Sequence, residues 1–172
     1  MRMHWGKKSR EKRQDSRTRI DLPQLQRELG VRIGERGSTA LLFACDEMDR
    51  TNHHELGAEH LIVGVLEEGG PAAQLLLKNG ITLEDARAQI AEALWEVDEK
   101  QSSVELTSEA TNILATAAEA AGIRGHRTIE PEHITYGFVC SGFEITSRIL
   151  HMIGVDRPKL LQEAEQLLSN GH

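Results

Sequence analysis

Apolar and small residues recur at helical spacing in two stretches of this chain, and the elements follow the same order in each. Along residues 35–51 they fall every three or four positions, and the same spacing returns after Thr107, a residue type that caps helices well. A loop follows each stretch, and a second helix is predicted to begin near Ala58 or Pro131. No segment shows the alternation typical of a strand. The pattern therefore predicts an all-α fold.

The two stretches are copies of one unit. NHHELGAEHLIVGV at 52–65 aligns with GHRTIEPEHITYGF at 125–138. Equivalent residues lie 73 positions apart, as in the pairs His53 and His126, Glu59 and Glu132, and His60 and His133. Such duplication indicates one supersecondary unit used twice, each copy burying apolar surface against the other.

Each copy is predicted to close with a third, short helix and a fourth one, at 83–96 and 157–169. We therefore predict two pseudo-symmetric four-helix repeats packed into one bundle, plus an N-terminal extension containing a short helix after Asp21. The predicted boundaries are 1–32 for the extension, 33–97 for the first repeat, 98–103 for a linker and 104–172 for the second repeat.

The charge is unevenly distributed. Residues 1–19 carry eight Arg and Lys against two acidic residues, whereas the whole chain has a net charge of −7. The acidic body disfavours nucleic acid as a partner. The basic tail is either simply solvated or touches RNA, anionic lipid or an acidic partner. No apolar run reaches the roughly 18–20 residues that span a bilayer, and residues 1–19 lack the features of a transit peptide, so a cytoplasmic protein is expected.

The recurring Glu-His pairs invite two interpretations. A metal site would use Glu59-His60 or Glu132-His133 with nearby histidines, but adjacent helical residues point about 100° apart, and HExxH spacing is absent. Structural histidines that brace the loop before each helix are the alternative, and they account for His53, His60, His126 and His133. No nucleophile motif or phosphate loop is present. We therefore expect no enzyme activity, no catalytic residue, no metal and no cofactor.

Glu59 and Glu132 are also candidate binding groups. Each is predicted in the first turn of a helix, where the helix dipole favours a carboxylate, and this alone accounts for them. Alternatively, a carboxylate holds a guanidinium bidentately while N–H groups at a neighbouring helix start receive an anion. One pocket would then hold both ends of an arginine-derived ligand.

The doubled histidine, loop and Glu-His motif resembles the N-terminal double repeat of the Clp unfoldases, especially the ClpC branch. The matching segments are helix 35–49, GAEHLIVGVLEEGG at 57–70, the second copy at 106–138, and ILHMIGV at 149–155. The resemblance implies an all-helical docking platform for adaptors and substrates. It also implies a phosphoarginine ligand.

In that family, carboxylates corresponding to Glu59 and Glu132 hold the guanidinium, and a threonine at the start of each first helix helps to hold the phosphate. This chain keeps the threonine as Thr107 but has Gly34 at the equivalent position. The family's Gly-Thr before Glu-His is Gly57-Ala58 in one copy and Glu130-Pro131 in the other. The added carboxylate of Glu130 is expected to repel a phosphate.

The sequence carries no ATPase module, so a free-standing Clp N-domain protein is expected. It would bind marked substrates as an adaptor or decoy and modulate Clp-dependent proteolysis. Alternatively, it would dock on the Clp ATPase or peptidase as an accessory subunit. A nucleic-acid binder driven by the basic tail is a third, weaker interpretation.

Overall fold

The computed structural model of the chain describes residues 19–92 and 104–170, and within them it contains nine helices and four two-residue strands. The helices are α1 (Leu22–Leu29), α2 (Glu35–Thr51), α3 (Ala58–Glu68), α4 (Pro71–Lys78), α5 (Leu83–Glu92), α6 (Ser108–Ile123), α7 (Pro131–Cys140), α8 (Glu144–Ile153) and α9 (Arg157–Asn170). The strands are β1 (Arg32–Ile33), β2 (Glu55–Leu56), β3 (Glu105–Leu106) and β4 (Thr128–Ile129).

The predicted all-α fold class with two repeats is confirmed. The predicted fourth helix at 83–96 is seen as α5 to Glu92, and residues 93–96 lie outside the described part of the chain. The linker predicted at 98–103 and the basic tail at 1–18 also lie outside it. None of the described helices is long and apolar enough to cross a membrane.

Local chemistry starts the helices where the sequence predicts them. Asp21 caps α1, because its carboxylate accepts the Gln24 N–H at 2.9 Å. Thr107 caps α6 in the same way, its hydroxyl accepting the Ala110 N–H at 3.1 Å. Each satisfied N–H is one of the four that a helix start leaves without an intrahelical partner.

Helices α3 and α7 form the centre of the molecule. Every residue from 58 to 66 is buried, as are most of those in α7. α3 packs on α2, α7 packs on α6, and α3 and α7 contact each other across the two repeats. The central helices therefore tie the two copies into one core.

The expectation that the chain has no strand is wrong. β1 pairs in parallel with β4, aligning Arg32 with Thr128, and β2 pairs with β3, aligning Leu56 with Leu106. Two-residue strands are too short to show an alternating pattern, and their partners are far away in sequence. These ladders lie in the segments just before α2, α3, α6 and α7.

The ladders cross between the repeats. The strand before the first helix of each copy pairs with the strand before the second helix of the other copy. Consequently the start of α2 lies beside the start of α7, and the start of α6 lies beside the start of α3. Each of these junctions is built from both copies.

Candidate functional site

The candidate binding residues collect at the two junctions between the repeats. At one junction the Gly34 N–H donates to the Ile129 carbonyl at 2.9 Å, and at the other the Thr107 N–H donates to the Leu56 carbonyl at 3.1 Å. We name the junctions after these residues. The Gly34 site comprises Gly34, Arg36, Glu130 and Glu132, and the Thr107 site comprises the equivalent Thr107, Glu109, Gly57 and Glu59.

Because each site is built from both repeats, the departures from the family pattern are distributed differently between the sites than between the repeats. Considered copy by copy, the second repeat keeps its threonine but gains the carboxylate of Glu130. In the structure both departures, Gly34 and Glu130, fall in the Gly34 site. Thr107 and Gly57, which match the family pattern at those two positions, fall together in the other site.

An internal arginine occupies the Gly34 site. Arg36 Nη1 donates to Glu132 Oε1 at 2.8 Å, and its Nε and Nη2 hold the Glu68 carboxylate bidentately at 2.7 and 3.0 Å. The hydrogen bond from Arg36 lowers the pKa of the Glu68 carboxyl below its ordinary value, although burial opposes the shift. Glu132 therefore already holds a guanidinium.

At the Thr107 site Glu109 takes the position equivalent to Arg36, and no arginine of the described residues donates a hydrogen bond to Glu59. The Glu109 carboxylate is buried and accepts the Thr146 N–H at 3.0 Å, the Thr146 hydroxyl and the Ser141 hydroxyl. It is thus committed to the start of α8.

The Glu59 carboxylate has no hydrogen-bond partner among the other described residues. Its side chain is 1% exposed, and neither carboxylate oxygen makes a hydrogen bond to another described residue. The carboxylate folds back over Gly57, with both oxygens 2.5 Å from the position that a Cβ of Gly57 would occupy. The equivalent of Gly57 is Glu130, whose side chain closes this space and leaves Glu132 directed at Arg36.

Burial raises the pKa of the Glu59 carboxyl above its usual value of 4.5, partly offset by its own backbone N–H. Repulsion from Glu109 adds to the increase, and Arg148 opposes it. Because the folded pKa is raised, ionisation of Glu59 reduces stability as the pH rises above its usual value. A buried, unpaired carboxylate of this kind is stabilised by an incoming cation.

We predict opposite stability effects for the two equivalent glutamates at pH 7. Glu59→Gln should raise the free energy of unfolding by about 1 kcal/mol, because a neutral amide costs less to bury than a carboxyl group whose ionised form has no hydrogen-bond partner. Glu132→Gln should lower it by about 1 kcal/mol, because Arg36 loses a charged acceptor. Urea denaturation of both variants measures these changes, and effects of the same sign would contradict the assignment.

The structural histidines form two equivalent pairs. His60 Nδ1 accepts the Gly57 N–H at 2.9 Å, so its Nε2 carries the proton and lies 2.9 Å from His53 Nδ1. His133 Nδ1 accepts the Glu130 N–H at 3.0 Å, and its Nε2 lies 2.8 Å from His126 Nδ1. Each pair braces the loop before its helix.

One group of metal-binding residue types does come together. His53, Glu59 and His60 offer ligand atoms within 4.8 Å of one another. The expectation that Glu59 and His60 point apart is wrong here, because Glu59 turns back over Gly57 and brings Oε1 to 3.5 Å from His60 Nδ1. However, both ring nitrogens of His60 are engaged in hydrogen bonds, so this group fits the bracing role better.

Sequence reasoning missed Arg36, Glu68, Glu109 and Thr146. A signal for two of them exists, since Arg36 and Glu109 occupy equivalent positions with opposite charges. Glu68 and Thr146 carry no comparable signal, because nothing in the sequence shows which helix start each one faces.

The fold and the two junctions define a tandem-repeat helical domain. A profile of the Clp repeat (R) N-terminal domain matches residues 33–140 and 105–172, and the chain belongs to this family. In Clp ATPases this domain binds substrates and adaptors and is not the catalytic part.

Two relatives show the extent of the similarity. The chain is 33% identical over 131 residues to the ClpA homolog ATP-binding subunit of the Clp protease from Cyanidium caldarium, covering 75% of this chain and 15% of that protein. It is 29% identical over 140 residues to the negative regulator of genetic competence ClpC/MecB from Bacillus subtilis (strain 168), covering 81% and 17%. The chain thus spans about one sixth of these curated relatives.

Solved structures agree on the fold. The N-terminal domain of the chaperone ClpD from Arabidopsis thaliana matches with a TM-score of 0.66 and 23% identity, covering 80% of this chain and 95% of that one. The ClpV N-domain in complex with a VipB peptide matches with a TM-score of 0.60 and 17% identity, covering 88% and 93%.

Proposed function

We propose that this chain is a non-catalytic docking module of the Clp protease system, and that its Thr107 site binds phosphorylated arginine on protein partners. Such binding would deliver marked substrates or adaptors and so modulate Clp-dependent proteolysis. The observation that carries the proposal is the unpaired, buried carboxylate of Glu59 beside the start of α6.

The Gly34 site supports a guanidinium as the cationic end of the ligand. There the equivalent glutamate, Glu132, holds the guanidinium of Arg36 at 2.8 Å. In the Thr107 site Glu109 replaces this arginine, and Arg148, which interacts electrostatically with Glu59, makes no hydrogen bond to it, so the Glu59 carboxylate remains available to a ligand guanidinium. Glu59 and Glu109 interact electrostatically, and two nearby carboxylates favour a cation between them.

The start of α6 supports an anion at the other end of the ligand. The first-turn N–H groups at Ser108 and Glu109 have no intrahelical acceptor, and the dipole of a 16-residue helix favours negative charge there. The Thr107 hydroxyl adds a donor to this turn. Phosphoarginine carries both charges on one side chain, and binding requires Glu59 to turn outward from above Gly57.

Isothermal titration calorimetry with phosphoarginine tests the proposal. We expect binding to the wild-type chain and a loss of about 10- to 100-fold in affinity for Glu59→Gln, because a charge-assisted bidentate contact is removed. Glu132→Gln is the matched control and should bind as the wild type does. Free arginine should bind more weakly than phosphoarginine.

Two results would contradict the proposal. One is the absence of phosphoarginine binding to the folded wild-type chain. The other is a Glu59→Gln variant that retains wild-type affinity.

A further inference from the structure

The two junctions differ in the groups that fill them. We infer that Glu130 and Arg36 close the Gly34 site to phosphoarginine, so that the chain takes one ligand, at the Thr107 site. This inference rests on the function proposed above and adds its stoichiometry and the residues that determine it. Glu130 is the specificity-determining residue.

Glu130 occupies the anion position. Its Oε2 accepts the Gly37 N–H at 2.9 Å, and its Oε1 accepts the Thr128 hydroxyl at 3.2 Å. Gly37 is equivalent to Ala110, whose N–H is capped by Thr107 in the other site. A carboxylate from the opposite repeat thus caps α2 at the same amide that a threonine caps in α6. A phosphate at the start of α2 would meet this negative charge.

Gly34 and Glu130 are sterically coupled. A Cβ placed on Gly34 would lie 1.6 Å from Glu130 Oε1, so a threonine at this position and the observed Glu130 conformation exclude each other. The other site has the opposite combination, with a side chain at Thr107 and none at Gly57. Each junction therefore has one side chain at the start of its helix, either Glu130 or Thr107, and the type of that side chain decides whether an anion can bind there.

Arg36 occupies the cation position. It contacts Glu132 and Glu68 together, so an incoming guanidinium would have to displace it from two carboxylates. The Gly34 site is not closed for want of space, because a cleft of about 400 Å³ lies against Arg36, Glu130 and Glu132. Exchanging the closing side chains should therefore open the site.

Calorimetry in the Glu59→Gln background tests this closure, because that substitution weakens binding at the Thr107 site. Glu59→Gln alone should bind phosphoarginine about 10- to 100-fold more weakly than the wild-type chain does. Adding Gly34→Thr, Arg36→Gln and Glu130→Gly should raise the affinity at least tenfold. Circular dichroism establishes that each variant is folded.

Closure is overturned if the Glu59→Gln protein binds phosphoarginine within tenfold of the wild-type affinity, or if the folded exchange variant gains no affinity over Glu59→Gln. The proposed function is contradicted by a different result, namely a wild-type chain that does not bind phosphoarginine. In that case a gain in the exchange variant still supports closure, whereas no gain overturns both.

A control without ligand measures the steric coupling between Gly34 and Glu130 alone. Gly34→Thr should lower the melting temperature of the wild-type chain, because the Glu130 carboxylate must move away from the new Cβ and lose its hydrogen bond to the Gly37 N–H. In the Glu130→Gly background the same substitution should not lower it, because the threonine caps α2 instead. An equal decrease in both backgrounds would contradict the coupling.

Discussion

Replacing Gly64 by alanine is expected to lower the free energy of unfolding by about 3 kcal/mol, at the upper end for an overpacked core. Gly64 lies in α3 where α2 crosses it, and a Cβ there would be 2.1 Å from the Ala40 carbonyl oxygen. Backbone atoms of a packed helix cannot move aside as the end of a side chain can. Gly137, the equivalent residue in α7, would place a Cβ 2.3 Å from the Ile113 carbonyl oxygen and should respond similarly.

Gly122 supplies the matched control, because it is also helical but a Cβ there would meet nothing within 4 Å. Gly122→Ala should leave stability unchanged or raise it by up to about 1 kcal/mol through helix propensity. Urea denaturation of the three variants measures the differences. Equal effects at Gly64 and Gly122 would refute a close helix crossing.

Acidification is expected to destabilise the protein through the histidine pairs. Burial lowers the pKa of His60 to about 3 and that of His133 to about 4. In the unfolded chain both take up protons near pH 6.5. The unfolded state therefore binds more protons, and stability falls as the pH drops below 6.5.

The pH range of this loss of stability distinguishes histidine protonation from the titration of carboxylates. For His60 it should reach about 2–3 kcal/mol between pH 6.5 and 4.5, above the range in which most carboxyl groups protonate. Glu59 acts in the opposite sense, so the Glu59→Gln background isolates the histidine contribution. Adding His60→Gln should flatten the profile over this range, whereas adding His151→Gln, at an exposed position on α8, should not. A profile unchanged by His60→Gln would contradict the assignment.

The sequence predicts the helices well because their signals are local. Thr107, Asp21 and the prolines at the starts of α1, α4 and α7 act within their own turns, and the offset of 73 positions from His53–Gly64 to His126–Gly137 shows that the second copy repeats the first. These signals do not depend on how the copies are packed together. They determine the elements but not their arrangement.

The composite sites could not be predicted in this way. Leu56 pairs with Leu106, and Gly34 meets Ile129, across separations that leave no periodic trace. The direction of Glu59 depends on the missing side chain of Gly57, and that of Glu132 depends on Arg36 in the other repeat. Helix starts identify such residues as candidates, but only the crossing of the ladders shows which ones share a site.

The central claim is that the start of α6 and Glu59 together form the single phosphoarginine site of the two junctions. Titration of the isotope-labelled wild-type chain with phosphoarginine, followed at backbone amides by nuclear magnetic resonance, tests it most directly. The account predicts the largest shifts at the amides of Ser108, Glu109 and Glu59. Shifts centred on Gly34 and Gly37, or equal shifts at both junctions, would contradict it.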